Sequence, residues 1–567
     1  MSLTNPIVLL KRAALFFTLF LVACGDDGGT DASAPDADAG PSDSAMGTDS
    51  ALPGDGGPTD GGPMTDSGPA PGTWQLPAGH FTPARMPMTL VHPRDASTPS
   101  WVYAKNAHPG VHWEIPIVIQ GGAWPFRYTI VNDGGATGLT IGGELARTDD
   151  AGFVVHRVTP DYGVLSWANP LAGNYTIVLR VDDQDGNTMD VPVSLTVGTA
   201  GWVFIDADAG DDTAGDGRIG APFETLVGMH GRDDTSTRFA NHRVYLAGTV
   251  PMDGNRPNGN LRIDPGNTPS VWLGLPGRSA VLEAYEGKFV VASPDFYLAN
   301  IEHRHRVDYV PDDGSFIHMF TVWDAPRFTL HDVTFSRFQG VPVNVGLGNS
   351  AVMMFTRGAD RPHVAVVNCT ITGPSGVFTS TYSLRDSVFE KNRWVDADLS
   401  LSDGSVNAII YSKGDNENIT IRANEMVENL TWTVLTGIQV HEARLIEIAH
   451  NVIETPYDSG RAGSIRLFVN SPAAGYSWTT DTPVWVDRNS LRRRLRWEGD
   501  SLADMPDGVV HIDHNVVSPE SIPVHTRIVA TDNLADADHL DAEMRLMGAS
   551  RADYLGQRGA EVAAPGG

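Results

Sequence analysis

Cysteine is nearly absent: the 567-residue chain holds two, Cys24 and Cys369. That excludes a disulfide-built scaffold and a cysteine zinc cluster. Basic residues are also few, 40 Lys and Arg against 69 Asp and Glu, for a formal net charge of −29. This balance excludes nucleic acid as a partner, because a phosphate backbone is held by Lys and Arg and is repelled by an acidic surface. Aromatic residues make up only 8%, whereas there are 60 Gly and 38 Pro. Such a composition favours turn-rich β structure or unfolded segments over long helices. The length corresponds to roughly three to five domain-sized units.

At the N-terminus, Lys11 and Arg12 precede an apolar run from Ala13 to Val22 that is too short to span a bilayer as a mature helix. Residues 1–23 therefore read as a signal peptide. The sequence Leu21-Val22-Ala23-Cys24 resembles the lipobox of bacterial lipoproteins, which implies acylation of Cys24 and a cell-envelope location, outer membrane or cell surface. Several acyl chains are needed for firm anchoring, since one chain binds only marginally. Residues 24–72 form the tether: from Gly25 to Gly72 the chain carries ten Asp and no Lys or Arg. A segment of this kind buries too little apolar surface to offset its ordering entropy and spans about 40 Å as a random coil.

Over residues 98–198, short β-patterned runs such as Phe126–Val131, Tyr175–Val181 and Val191–Val197 alternate with turn clusters. The stretches Gly121-Gly122-Ala123-Trp124-Pro125, Gly173-Asn174-Tyr175-Thr176 and Val181-Asp182-Asp183-Gln184-Asp185-Gly186-Asn187 resemble the immunoglobulin-like and cadherin-like repeats of bacterial surface proteins. Asp182, Asp183 and Asp185 have a spacing compatible with Ca²⁺, the one candidate cofactor, although the run lacks a complete ligand loop.

From Trp202 the pattern changes. Trp202-Val203-Phe204-Ile205-Asp206, then Gly215-Asp216-Gly217 and Ala221-Pro222-Phe223, resemble the start of pectate-lyase-like right-handed parallel β-helix proteins. An irregular repeat follows, in segments at 296–301, 328–333, 364–369, 382–387, 419–426, 446–453, 484–491 and 510–517. Each places two apolar residues at i and i+2 and an Asn or Asp two or three positions later. In a β-helix, alternate side chains of each coil point into a continuous core. Asn424, Asn451, Asn489 and Asn515 share one offset, where stacked amides satisfy buried backbone groups and one another. The expected fold is all-β: a β-sandwich module followed by a right-handed parallel β-helix over 201–526, with some 10–13 coils in a rod of about 50–60 Å. The sandwich and the Asp-rich segment after Trp202 are placed to cover the first end of the rod. A C-terminal cap over 527–567, including a short helix at Leu540–Met547, covers the second. Cys369 reads as a buried, inert thiol.

Chemistry must come from the outer face of the coils. In Arg393–Leu399, putting Val395, Ala397 and Leu399 inward leaves Trp394, Asp396 and Asp398 outward. Asp396 and Asp398, about 7 Å apart along a strand, are the candidate catalytic pair, and Trp394 is a platform for a sugar ring. In Leu491–Trp497, Arg492, Arg494 and Arg496 share one face, a stripe suited to carboxylated or sulfated glycans. Lys413, His441 and Arg461 are weaker singletons. Related β-helix proteins include uronate lyases, glycoside hydrolases and adhesins, so the resemblance does not fix a reaction. The Gly-His-Gly of galacturonases is absent. The leading reading is a lipoprotein that binds glycans or partner surfaces through its rod, with polysaccharide or cell-surface glycan as the partner and the lipid anchor as its only membrane contact. The alternative is a Ca²⁺-assisted polysaccharide lyase or glycoside hydrolase acting on acidic polysaccharide. Replacing Cys24 with Ser should move the mature protein from the membrane pellet to the soluble fraction; retention in the pellet after washing without detergent would exclude the anchor.

Overall fold

The computed structural model describes residues 81–93, 106–142 and 159–226, the short strands Ala146–Thr148 and Val154–His156, and then the strands and bends of the coils from 243 to 535. Cys24, the tether and Leu540–Met547 lie outside the described residues. The folded body falls within Gly68–Gly567.

Its first part is a sandwich. One sheet has four strands in the order Asn106–Ala107, Thr188–Val197, Gly173–Asp182, Arg127–Asn132, and another has three, Trp113–Pro116, Val164–Trp167, Leu139–Ile141. Alternation sets the faces: Val191, Val193, Leu195 and Val197 are buried while the residues between them face solvent. Asp185-Gly186-Asn187 makes the expected hairpin turn, with Gly186 at φ +84°.

The second part is a parallel β-helix. Its strands pair in parallel rung after rung, from Trp202–Asp206 to Ile528–Thr531, in a 21-stranded sheet, beside a separate 9-stranded sheet. Leu298, Leu330, Val366, Phe389, Ile421 and Ile448 are in register and fully buried, forming one apolar column through the core. Cys369 lies in this core, where burial pushes its thiol up to about 12, which keeps it unreactive at neutral pH.

Each coil turns sharply after this column through a residue with positive φ: Asn300, Asp332 and Asn368 in the earlier coils, then Lys391, Ala423, His450, Arg488, His514 and Asp532. Asn and Asp tolerate this conformation, whereas for other side chains it costs about 1–2 kcal/mol. The next residue is Ile301, Val333 or Cys369 in the early coils and asparagine in the later ones. Asn424, Asn451, Asn489 and Asn515 stack as expected, and Asn392 and Asn533 extend the column at either end. At each step the Nδ2 donates to the next Oδ1 at 2.9–3.0 Å, and the same oxygen accepts the backbone N–H of the preceding asparagine.

The ends and flank of the rod differ from expectation. The segment after Trp202 does protect the first edge: Phe204 N donates to Gly217 O, and Phe204 and Asp206 exchange backbone hydrogen bonds with Phe223. The sandwich does not sit on that end. It lies along the flank, with contacts from His108 against Phe204 to Trp124 against His450. The reason is the outward face of these coils, which bears apolar Ala365, Val367 and Val388 packed on Val91 and Val118 of the N-terminal part. Beside them stands a buried ion pair, Arg422 with Glu390 at 2.7 Å. The Arg422 guanidinium lies over the Phe126 ring and donates to Ile119 O. Burial opposes its charge, yet Glu390 and Glu447 hold Arg422 above its ordinary value. Lys391 Nζ donates to Tyr162 O beneath the same sandwich, and burial brings it down to about 8. At the other end the stack does not stop at Thr526: Ile528–Thr531 and Leu534–Ala535 add a further rung in parallel register.

Asn451→Ala removes the acceptor for both Asn424 donors and the donors to Asn489 Oδ1 and Ile421 O. It should destabilise the protein by about 2–4 kcal/mol in denaturant unfolding, more than an exposed Asn→Ala.

Candidate functional site on the nine-stranded sheet

Parallel pairing turns residues distant in sequence into neighbours about 4.8 Å apart. In the nine-stranded sheet the inward positions are Ile410, Ile438, Ile465 and Leu495, in register and buried in the core. The next residue of each strand therefore faces outward. These are Tyr411, Gln439, Arg466 and Arg496, on four successive rungs. Two residues further on, Lys413 and His441 are register partners.

The side chains of this patch form a connected group. Gln439 Nε2 and His441 Nε2 are 2.6 Å apart, and the Tyr411 ring meets His441 edge to face at 5.1 Å between centroids. Tyr411, Gln439 and His441 are buried, while Arg466 and Arg496 are partly exposed. The patch thus runs from an aromatic, hydrogen-bonding end to a guanidinium end. Arginine presents a planar fork suited to carboxylate or sulfate, with neighbouring amide and phenol groups that bond to hydroxyls.

Of the residues singled out in sequence, Arg496, Lys413 and His441 come together on this sheet. Tyr411, Gln439 and Arg466 were missed, although strand alternation around Ile410, Ile438 and Ile465 carried the signal. Arg492, Arg494, Arg461, Asp396 and Asp398 lie outside the described residues.

Trp394 is a correction. It is fully buried in the apolar core, whereas Arg393 and Val395 on either side are partly exposed. The strand phase is opposite to that expected, because burying the indole outweighs burying Val395. Trp394 therefore offers no platform to a sugar.

The Ca²⁺ ligand set is a second correction. Asp183 is buried and accepts from Ala123 N, Asn187 N and Asn187 Nδ2 at 2.7–3.0 Å. Asp182 faces Arg127 at 3.7 Å, and Asp185 accepts from Ala84 N at 2.9 Å. The three carboxylates serve three different partners, and among the described residues no group of three His, Cys, Asp or Glu is arranged to hold a metal ion.

No family model and no curated sequence matches the chain. Among solved structures, a family 28 exopolygalacturonase from Yersinia enterocolitica is similar over 76% of this chain and 95% of that chain, with a TM-score of 0.32 and 10% identity. The assignment of a parallel β-helix rests on strand pairing.

Trp394→Ala should cost about 3–5 kcal/mol of stability, as for a large buried aromatic, whereas Arg393→Ala beside it should cost far less. Equilibrium unfolding of the two variants checks the difference.

Proposed function

We propose that the chain is a cell-envelope lipoprotein, held by acylated Cys24 and spaced by the 25–72 tether, whose β-helix binds acidic polysaccharide on the outward face of the nine-stranded sheet. The observation that carries this reading is the register Gln439–Arg466–Arg496. Arg466 and Arg496, partly exposed residues on adjacent rungs, set positive charge at about 4.8 Å spacing for successive anionic groups of one chain. The overall charge of −29 repels any polyanion at long range, so affinity depends on these two side chains. The sandwich, immunoglobulin-like in its sequence motifs, serves as a fixed mount for the rod. The catalytic alternative, a lyase or glycoside hydrolase, needs carboxylates at the bond to be cut. Its candidates Asp396 and Asp398 lie outside the described residues, whereas the binding reading rests on placed side chains.

The test is a calorimetric titration with a polyuronate, a sulfated glycan and a neutral glucan. The full chain should bind an anionic polymer and not the neutral one, with affinity falling as salt rises. The double variant Arg466→Ala/Arg496→Ala should weaken binding at least ~tenfold, since each charge-assisted hydrogen bond contributes about 1.5–3 kcal/mol. Unchanged affinity in the double variant, or equal binding of the neutral polymer, would exclude this face.

A further inference from the structure

The strap of residues 81–93 runs lengthwise over the coils and joins them to the sandwich, and it is held at both ends. At one end Arg85 reaches Asp487 and Asp513 at 3.5 and 3.1 Å, and Thr82 Oγ1 lies 2.7 Å from His450 Nε2. At the other end the strand Thr89–His92 pairs with Val118–Gln120 of the sandwich and inserts His92 against the coils. His92 is completely buried, stacks on Tyr297 at 5.5 Å and 17°, and its Nδ1 lies 2.9 Å from Thr329 Oγ1. A second buried imidazole, His331, stands one rung away with its Nδ1 3.2 Å from the same Tyr297 hydroxyl.

We propose that His92 and His331, packed around Tyr297 where the strap crosses the coils, form an acid-sensitive latch that releases this end of the strap. The groups facing the pair come from three elements. The sandwich contributes Glu114, whose carboxylate is already engaged by His112 and Asn300 at 3.1 and 2.9 Å. The coils contribute Asp332 and the cationic Lys391, and the strap contributes His92 itself. Tyr297 and Thr329, which meet the two imidazoles, are uncharged.

The electrostatics agree in sign. Burial, and then the neighbouring His331, bring His92 down to about 3. Burial brings His331 down to about 4, partly offset by Glu114. A histidine with a depressed value in the docked state contributes its full stability above about 6.5, and that stability is lost as pH falls toward the docked value. The window therefore opens below about pH 6.5.

The test is hydrogen exchange of the full chain at about pH 7 and about pH 5, corrected for intrinsic exchange. Amides of Thr89–His92 and Val118–Gln120 should lose protection at least ~tenfold at the lower pH, while Thr436–His441 and Gly463–Phe468 of the nine-stranded sheet keep theirs. The variant His92→Gln/His331→Gln should flatten this step. Equal strap protection at both pH values in the wild type would overturn the latch, as would an undiminished step in the variant. If the variant does not fold, the wild-type comparison decides alone: simultaneous loss of protection in the control strands would mean general acid unfolding and would equally overturn it.

Discussion

The bend after the inward column is the constraint on which the rest of the molecule depends. A coil must reverse direction within two residues, and one of them must take positive φ. In the earlier coils Asn300, Asp332 and Asn368 adopt that conformation at little cost. In the later coils the position is given to Lys391, Ala423, His450, Arg488 and His514, of which only the histidines are common there. There the asparagine that follows supplies the compensation, because its amide satisfies one backbone N–H, one carbonyl and the next amide in the stack. Freed from the conformational requirement, the bend residue can carry a side chain chosen for another purpose. Lys391 and His450 use that freedom to hold the N-terminal part of the chain, through Tyr162 and Thr82.

The two outward faces of the rod diverge accordingly. On the flank that carries strap and sandwich, Glu390, Arg422, Glu447 and Asp487 are buried, and Arg422 meets the Ile119 carbonyl and the Phe126 ring. Buried pairs of this kind add little net stability, yet removing one partner alone costs about 3–5 kcal/mol. Their effect is to favour a single seating of sandwich on coils over shifted alternatives. The chain passes close enough there that a Cβ on Gly121 would lie 2.3 Å from Pro87 O, so only glycine fits. On the nine-stranded sheet, Arg466 and Arg496 are partly exposed.

Much of the fold was legible in the sequence because parallel stacking repeats a local pattern. The i, i+2 apolar pairs mark inward positions, and four asparagines at one offset mark the ladder. Asn392 escaped because the template was anchored at Asp386 in the same coil, which marks a different bend, itself at positive φ. In earlier coils the polar marker is the bend residue, and in later ones the residue after it, a shift of one position that an i+2 or i+3 template does not separate. The strand phase at Trp394 was misread because three residues carry too little alternation to set a face, and the neighbouring carboxylates drew the indole outward. Alternation marks Tyr411, Gln439 and Arg466 as outward, but not as neighbours. Their strands follow loops of unequal length, so only the pairing register shows which residues are neighbours. At Asp182–Asp185, spacing along a turn said nothing of direction, and the three carboxylates point to three separate partners.

The lengthwise seating of the sandwich has a consequence for how the molecule is made. The sandwich and strap precede the coils in the chain, and residues between His92 and Tyr162 touch rungs from Tyr297 to His450. A chain emerging N-terminus first completes this module before most coils exist. Each new coil is then laid both on the preceding one and on a surface already formed, so the long-range pairings of a parallel stack need not be found by an isolated growing edge. The sandwich acts in this sense as a template for assembly, and the rod is built along it.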